Sequence, residues 1–296
     1  MAGAAARLTY GPPYDWDSVL AFLAARAVEG VEAVEGGTYR RSFREGGAAG
    51  VLEVAHDADA GALSVRSRGA GLSEAVLARL RRVFDLDADV AAIGAHLSRD
   101  PDLARLVAAR PGLRAPGAFD GFELAVRAVL GQQVSVPAAR RLGGRLAAIC
   151  GTAVRADHGG IARAFPGPEE VAAADLTDMP MPGARKAALK ALAEAALADP
   201  GLFERREGLE RAVARLTALR GVGLWTAHYI ALRAVREPDA FPSGDIGLLR
   251  GMTGPDGRRP TPAELERRAE AWRPWRAYAA QHLWAADAEA ISTSWA

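Results

Sequence analysis

The stretch Leu216-Thr-Ala-Leu-Arg-Gly-Val-Gly-Leu-Trp-Thr-Ala-His-Tyr-Ile-Ala-Leu-Arg233, followed soon by Phe241-Pro-Ser-Gly-Asp-Ile-Gly-Leu-Leu-Arg250, decides the fold of this chain. The leucine and valine spacing up to Leu216 predicts a helix that ends at Gly221-Val-Gly223. Residues 224–235 contain no proline or glycine, so a second helix is expected there. We expect the two glycines to supply the positive φ of a tight connection. The sequence thus predicts two helices joined by a hairpin that leads to Asp245.

A glycine hairpin at the start of a helix has a chemical use. Its unpaired backbone N–H groups and the positive end of the helix dipole suit a phosphate group. Such contacts hold DNA without reading its sequence. An ordinary corner between two helices carries the same glycines, so the hairpin alone leaves both interpretations open.

Composition excludes several classes of protein. The chain has 296 residues, of which 50% are hydrophobic and 25% are charged, as in a soluble globular protein of two or three domains. Its net charge of +1 gives no global sign of a nucleic-acid partner. Cys150 is the only cysteine, which excludes a disulfide framework and cysteine-ligated clusters. The five histidines are scattered, so we expect no catalytic metal and no required cofactor.

The location of the protein is predicted from what the sequence lacks. No apolar run approaches the length of a membrane span, and the first residues do not have the pattern of a signal peptide. We therefore expect a cytoplasmic protein without a membrane partner. A monomer is the simplest expectation for its oligomeric state.

The N-terminal part predicts an α+β fold. Residues 32–43, 50–56 and 62–68 have the pattern of short strands, and glycine pairs at 36–37 and 46–47 mark turns between them. Helical spacing at 15–26 and 72–83 supplies helices that could cover the sheet. Beyond Leu86 the strand signals fade and helical segments dominate. We predict a small antiparallel-sheet α/β domain followed by a mostly helical body.

Further motifs accompany the hairpin. They are Pro12-Pro-Tyr-Asp-Trp16 with Phe22-Leu-Ala-Ala-Arg26, Leu130-Gly-Gln-Gln-Val-Ser135, and Trp272-Arg-Pro-Trp-Arg-Ala-Tyr278 with His282-Leu-Trp284. In this order, the motifs and the hairpin resemble the DNA-3-methyladenine glycosylase II family of the helix-hairpin-helix DNA glycosylase superfamily. The resemblance covers nearly the whole chain.

The resemblance implies a fold and an activity. The N-terminal α/β domain would comprise residues 1–88, one helical domain 89–118 with 232–296, and the helical domain with the hairpin 119–231. The cleft would lie between the two helical domains. Its substrate would be double-stranded DNA with alkylated bases, from which 3-methyladenine-like purines are removed to leave an abasic site in base excision repair.

Asp245 is the candidate catalytic residue. A base in a duplex must be extruded before it can be reached, and a carboxylate near the sugar would stabilise the positive charge that develops as the base departs. An aspartate before a helix commonly serves as an N-cap, and the two roles are compatible. Asp239 is the weaker alternative.

Trp225 predicts a monofunctional enzyme. In the bifunctional members of the superfamily this position holds a lysine that attacks the sugar, and the hairpin stretch of this chain has no lysine. Packing of the core is the other interpretation of this tryptophan. By resemblance, Trp225, Tyr229, Trp284 and Phe22 would form an electron-rich pocket that favours a cationic base. Trp272 and Trp275 are expected to pack the helical body.

The remaining candidate residues would bind the DNA or a cation beside it. Gln133 occupies the position of the duplex wedge in the family, although a surface loop amide is an equal interpretation, and Gln132 is its neighbour. The predicted DNA-binding residues are Gly221, Gly223, Thr226, Gln132 and Gln133. The family also implies a monovalent cation on hairpin carbonyls, here those of Thr217, Leu219 and Val222.

Two other functions remain open. A non-catalytic DNA-binding damage sensor would need the hairpin glycines but neither Asp245 nor an aromatic pocket. A glycosylase and lyase for oxidised purines would normally need the hairpin lysine, so Trp225 argues against it.

Overall fold

The computed structural model describes residues 4–254 and 256–293, and its N-terminal part is a five-stranded antiparallel sheet. The strands are β1 (Ala5–Thr9), β2 (Glu32–Glu35), β3 (Thr38–Glu45), β4 (Ala48–Asp57) and β5 (Ala62–Arg68), and their order in the sheet is β1-β5-β4-β3-β2. Tyr39 of β3 pairs with Val54 of β4. Alternate residues of the strands point inward, where two helices cover them. This confirms the predicted antiparallel α/β unit. The two helices are α1 (Trp16–Arg26) and α2 (Glu74–Phe84).

The rest of the described chain is mostly helical, as predicted. Side-chain caps mark many of its helix starts, and Thr261 with Glu264 forms a capping box. Its elements are α3 (Val90–Leu97), α4 (Pro101–Ala109), α5 (Gly121–Leu130), α6 (Val136–Cys150), β6 (Thr152–His158), β7 (Ile161–Ala164), α7 (Pro168–Ala173), α8 (Gly183–Ala198), α9 (Leu209–Thr217), α10 (Leu224–Ile230), α11 (Ile246–Gly251), α12 (Pro262–Ala269) and α13 (Arg276–Thr293).

Three strands were not predicted from the sequence. Strand β1 buries only Leu8, so its five residues carry little pattern. The hairpin β6–β7 follows α6 and joins the N-terminal unit, because the Ala162 and Arg163 N–H groups donate to the Gly30 carbonyl at 2.8 and 3.0 Å. The N-terminal sheet and the helical body are therefore tied together by backbone hydrogen bonds.

The hairpin stretch forms two helices, α9 and α10, as predicted. Gly221 has φ +82°, and a Cβ atom there would lie 2.5 Å from the Cβ atom of Ala188, so only glycine fits. The expectation for Gly223 was wrong, because its φ is −83° and it serves as the N-cap of α10 in an extended conformation. One left-handed glycine is sufficient for this turn. After α10 the chain continues as a π-helical turn, Ala231–Val235, within the predicted helix.

One apolar core runs through the helical body. It includes Val126 of α5, Leu216 of α9, Leu248 of α11 and Trp272, which come from both predicted helical domains. The proposed division of the helices into 89–118 with 232–296 and 119–231 stays a prediction. In the part of the chain that the structure describes, no helix combines the length and apolarity that a membrane crossing requires.

Candidate active site

A cavity of about 380 Å³ lies where α1, α5, α10, α11 and α13 meet. Phe22, Trp225, Tyr229, Asp245 and Trp284 all line it, although they come from four separate segments of the chain. The structure thus brings together the predicted catalytic carboxylate and the predicted aromatic pocket. The volume falls within the range of small-molecule sites.

Asp245 is held by four N–H donors. As the N-cap of α11 it accepts the Gly247 and Leu248 backbone N–H groups at 2.9 and 3.2 Å through Oδ1. Trp284 Nε1 donates to the same oxygen at 2.8 Å, and Trp225 Nε1 donates to Oδ2 at 2.9 Å. Both predicted interpretations, cap and pocket carboxylate, are therefore combined in one side chain. None of these four donors carries a charge.

The backbone that presents Asp245 is fixed from two sides. The Phe241 N–H group donates to His228 Nδ1 at 3.2 Å, which ties the segment before Asp245 to α10. Burial lowers the pKa of His228, which keeps this nitrogen an acceptor at neutral pH. On the other side, Arg250 pairs with Asp287 through two bonds of 2.7 Å that join α11 to α13. The sequence pattern did not single out these residues.

Gly247 allows the close approach of α11 to α13. A Cβ atom there would lie 3.1 Å from Asp245 Oδ1, from Asp287 Oδ2 and from Trp284 Cδ1. These contacts are tighter than a side chain normally accepts. Glycine at position 247 therefore lets the Trp284 indole come within hydrogen-bonding distance of Asp245.

The aromatic wall is formed by three rings. Trp225 and Tyr229 lie one helical turn apart on α10, and their rings stack with centroids 5.4 Å apart and planes within 7°. Trp284 meets Tyr229 edge to face at 6.4 Å. The wall leaves all three residues partly exposed toward the cavity, which a purely packing role would not require.

Phe22 differs from the other predicted pocket residues. The guanidinium carbons of Arg26 and Arg233 lie 4.1 and 4.5 Å from the centroid of its ring. Arg233 is also 5.2 Å from the centroid of the Trp284 ring. Burial alone would raise the pKa of the Tyr229 hydroxyl, but the charges of Arg26 and Arg233 outweigh it and lower that pKa. The end of the cavity at Phe22 is therefore positively charged.

The loop between α5 and α6 separates the two predicted glutamines. Gln132 donates through Nε2 to the Gly221 carbonyl at 2.8 Å and to Thr226 Oγ1 at 3.1 Å, so it fastens the loop to the hairpin. Thr226 is only 3% exposed and its hydroxyl group accepts the Gln132 amide, so its contact with DNA stays a prediction. Gln133 is exposed at the loop tip with φ +56°, a conformation that non-glycine residues rarely adopt.

The hairpin also positions the carbonyls predicted to bind a cation. Thr217 ends α9, where helical carbonyls lack an intrahelical partner. The Leu219 carbonyl accepts the Val222 N–H group at 3.1 Å and retains a second lone pair. The turn is compatible with a monovalent cation at these oxygens.

The residues expected to be structural lie outside the cavity. Trp272 is buried and donates to Asp100 Oδ2 at 2.9 Å, and Trp275 packs edge to face on Tyr278. Asp239, the weaker candidate for the catalytic carboxylate, is bound by Arg273 and Arg276 and does not line the cavity.

Comparison with known proteins identifies the family. Residues 5–120 match the model of the AlkA N-terminal domain. DNA-3-methyladenine glycosylase 2 of Escherichia coli is 40% identical over 283 residues, which are 94% of this chain and 95% of the relative. The probable bifunctional transcriptional activator/DNA repair enzyme AlkA of Mycobacterium tuberculosis is 42% identical over 283 residues, 94% of this chain and 56% of the relative. The chain thus spans about half the length of its mycobacterial relatives.

The fold agrees with a solved structure. The 3-methyladenine DNA-glycosylase from Archaeoglobus fulgidus superposes with a TM-score of 0.81 at 20% sequence identity, over 95% of this chain and 98% of the archaeal chain. The resemblance inferred from the motifs is confirmed by these matches. The chain belongs to the DNA-3-methyladenine glycosylase 2 family.

Proposed function

We propose that this protein is a monofunctional DNA glycosylase that hydrolyses the N-glycosidic bond of alkylated purines in double-stranded DNA and leaves an abasic site. The observation that carries the proposal is Asp245, a carboxylate at the cavity that only uncharged N–H groups hold. Among the described residues no arginine or lysine pairs with this carboxylate, which lies beside a space sized for a base. The protein acts as a monomer on DNA in the cytoplasm.

The chemistry follows from that charge. The bond between the sugar C1′ atom and the base nitrogen breaks, and its electron pair leaves with the base. Positive charge then develops on the sugar, as in other glycoside hydrolyses. Asp245 stabilises this charge, and water adds to C1′. Its two indole donors and two backbone donors fix the carboxylate in place before the substrate arrives, so little reorganisation is needed.

The aromatic wall selects the base. A purine alkylated on a ring nitrogen is cationic, and a cation over an aromatic face gains about 0.5 to 2 kcal/mol. Trp225 and Tyr229 present parallel rings that suit a planar base. Because Trp225 and Trp284 also bind Asp245, the same residues position the base and the carboxylate.

The absence of a nucleophilic amine supports hydrolysis without strand cleavage. The chain has two lysines, Lys186 and Lys190, and neither lines the cavity. Lys186 donates to the Thr177 carbonyl at 2.6 Å, and Lys190 donates to the Ala172 carbonyl at 2.8 Å. The position of the lyase lysine is taken by Trp225, whose indole cannot form a Schiff base.

The hairpin and the neighbouring loop hold the DNA. The N–H groups of Gly221, Gly223 and the first turn of α10 donate to a phosphate. A monovalent cation on the Thr217, Leu219 and Val222 carbonyls adds positive charge beside it. Gln133 enters the space vacated by the extruded nucleotide. Gln132 keeps these two elements at a fixed distance through its bond to the hairpin.

Methylated duplex DNA tests the proposal. Purified protein is incubated with it, free methylated purines are measured, and the DNA strands are analysed with and without alkali. We expect purine release and strand breaks that appear only after alkali. Binding without release would support the damage sensor instead. Strand breaks without alkali, or a covalent adduct trapped by borohydride, would contradict a monofunctional enzyme.

A further inference from the structure

The two arginines that lie over the Phe22 ring at the cavity have no carboxylate partner among the described residues. Arg233 is 1% exposed and donates to the Pro116 carbonyl and to Gln281 Oε1, each at 2.8 Å. Its Nε atom is buried and has no hydrogen-bond partner among the described residues. The guanidinium carbon of Arg26 lies 4.1 Å from the centroid of the Phe22 ring, over which the Arg233 guanidinium group also lies. Within the described part of the chain, neither arginine forms an ion pair.

Two other arginines of the same cavity are neutralised by carboxylates. Arg41 pairs with Glu123 at 2.6 Å, and Arg127 pairs with Glu32 at 2.8 Å and with Glu123 at 2.9 Å. These four groups form a balanced, buried cluster. A buried guanidinium group without an acid is costly, and such groups are typical of functional sites.

The charge of Arg233 persists at working pH. Burial lowers the pKa of Arg233 to about 10, which still leaves the group protonated near neutrality. The residue lies two turns after Trp225 and one turn after Tyr229, within the π-helical turn, so it continues the stripe of pocket residues. Arg26 approaches the same place from α1 of the N-terminal unit.

We propose that Arg26 and Arg233 are specificity-determining residues that stabilise the negative charge on a departing uncharged base. This inference rests on the proposed glycosylase function. A cationic alkylated purine leaves as a neutral molecule and gains nothing from two positive charges. An uncharged damaged purine with a carbonyl oxygen leaves with the electron pair of the broken bond, so it carries negative charge that nearby guanidinium groups stabilise.

The reaction balances without a further reactant. The C1′–N9 bond breaks, and both of its electrons go to the base. The oxygen of water bonds to C1′, and one proton of that water ends on the released base. Asp245 acts on the sugar side of the broken bond, and the two arginines act on the base side. The cavity thereby serves both charge classes of base.

The test compares two substrates with the same protein. Single-turnover rate constants are measured for duplexes that contain 7-methylguanine, a cationic base, or hypoxanthine, an uncharged base with a carbonyl oxygen. The variants are Arg26→Met and Arg233→Met. Arg140→Met is the matched control, because Arg140 lines the cavity but donates to the Ala27 carbonyl at 2.7 Å, away from the Phe22 ring.

We expect both variants to slow hypoxanthine release at least tenfold and to speed 7-methylguanine release, since a repelling charge is removed. The control is expected to change both rate constants by the same factor. The inference would be overturned if, in Arg26→Met, the ratio of the rate constants for hypoxanthine and 7-methylguanine release stayed within twofold of the wild-type ratio. This variant decides the test if Arg233→Met does not fold. Wild-type release of 7-methylguanine without hypoxanthine would also overturn it. Release of neither base would instead refute the proposed glycosylase function.

Discussion

Asp245 and Asp239 stand six residues apart in the same connection, between the π-helical turn 231–235 and α11, yet their surroundings are opposite. Asp245 accepts four uncharged N–H groups and lines the cavity. Asp239 is bound by the guanidinium groups of Arg273 and Arg276, the latter through bonds of 2.8 and 2.9 Å. The positive charge of a paired arginine cancels most of the electrostatic field that a carboxylate would exert on a substrate. The type of donor, rather than the presence of a carboxylate, separates a reactive site from a structural one.

The largest expected effect comes from Asp245→Asn. The amide has nearly the same shape but no charge, and its NH₂ group would face an indole donor. We expect base release from a 7-methylguanine duplex to fall on the order of 10³-fold, about 4 kcal/mol of transition-state stabilisation. Single-turnover kinetics measure this change. A decrease of less than tenfold would show that Asp245 is mainly the cap of α11.

Asp239→Asn is expected to change stability instead. The Arg276 side chain is 2% exposed. Loss of the charge on Asp239 leaves it paired only with the more exposed Glu266 and Glu270. We expect the free energy of unfolding to fall by about 2 kcal/mol, measured by urea denaturation. The rate of base release should stay within about threefold.

Glu266→Gln is the control for this change, because Glu266 is the outer, half-exposed partner of Arg276 at 3.1 Å. Its expected cost is below about 1 kcal/mol. If Asp239→Asn removed activity as strongly as Asp245→Asn, the contrast between the two carboxylates would be wrong.

A smaller effect is expected when one indole donor to Asp245 is removed and an aromatic ring is retained. Trp225→Phe and Trp284→Phe each replace the indole by a smaller phenyl ring without an N–H group, so the carboxylate is less firmly held. We expect each to slow base release about tenfold, or about 1.4 kcal/mol. Trp275→Phe is the matched control, because this tryptophan packs on Tyr278, and its rate should change less than twofold. Equal losses in all three variants would indicate general damage to packing.

The sequence predicted the parts of the site that depend on local pattern. The hairpin, the helix that starts after Asp245 and the aromatic spacing of Trp225 and Tyr229 all lie within one continuous stretch. The hairpin β6–β7 was missed, although Gly159-Gly160, with φ of +61° and +80°, marks its turn.

The charge at the cavity could not be read from the sequence. Arg41 and Arg233 have the same side chain, but one meets Glu123 from a distant helix and the other meets only uncharged acceptors. Whether an arginine is neutralised depends on which segments the fold brings together. The pairing of Trp284 with Asp245 depends in the same way on contact between α11 and α13.

The smallest effect is expected at Gln133, which touches neither aspartate. Its side chain sits on an exposed loop tip and can act only by filling the gap in a duplex. Gln133→Ala should therefore slow release from duplex DNA about threefold and leave release from the same single-stranded oligonucleotide unaffected, because no stack has to be replaced there. Asp245→Asn should slow both, since the bond that breaks is the same. Measuring the two variants on the two substrates separates extrusion of the nucleotide from hydrolysis of the bond. If Gln133→Ala had equal effects on both substrates, the loop would act on the chemistry rather than on extrusion.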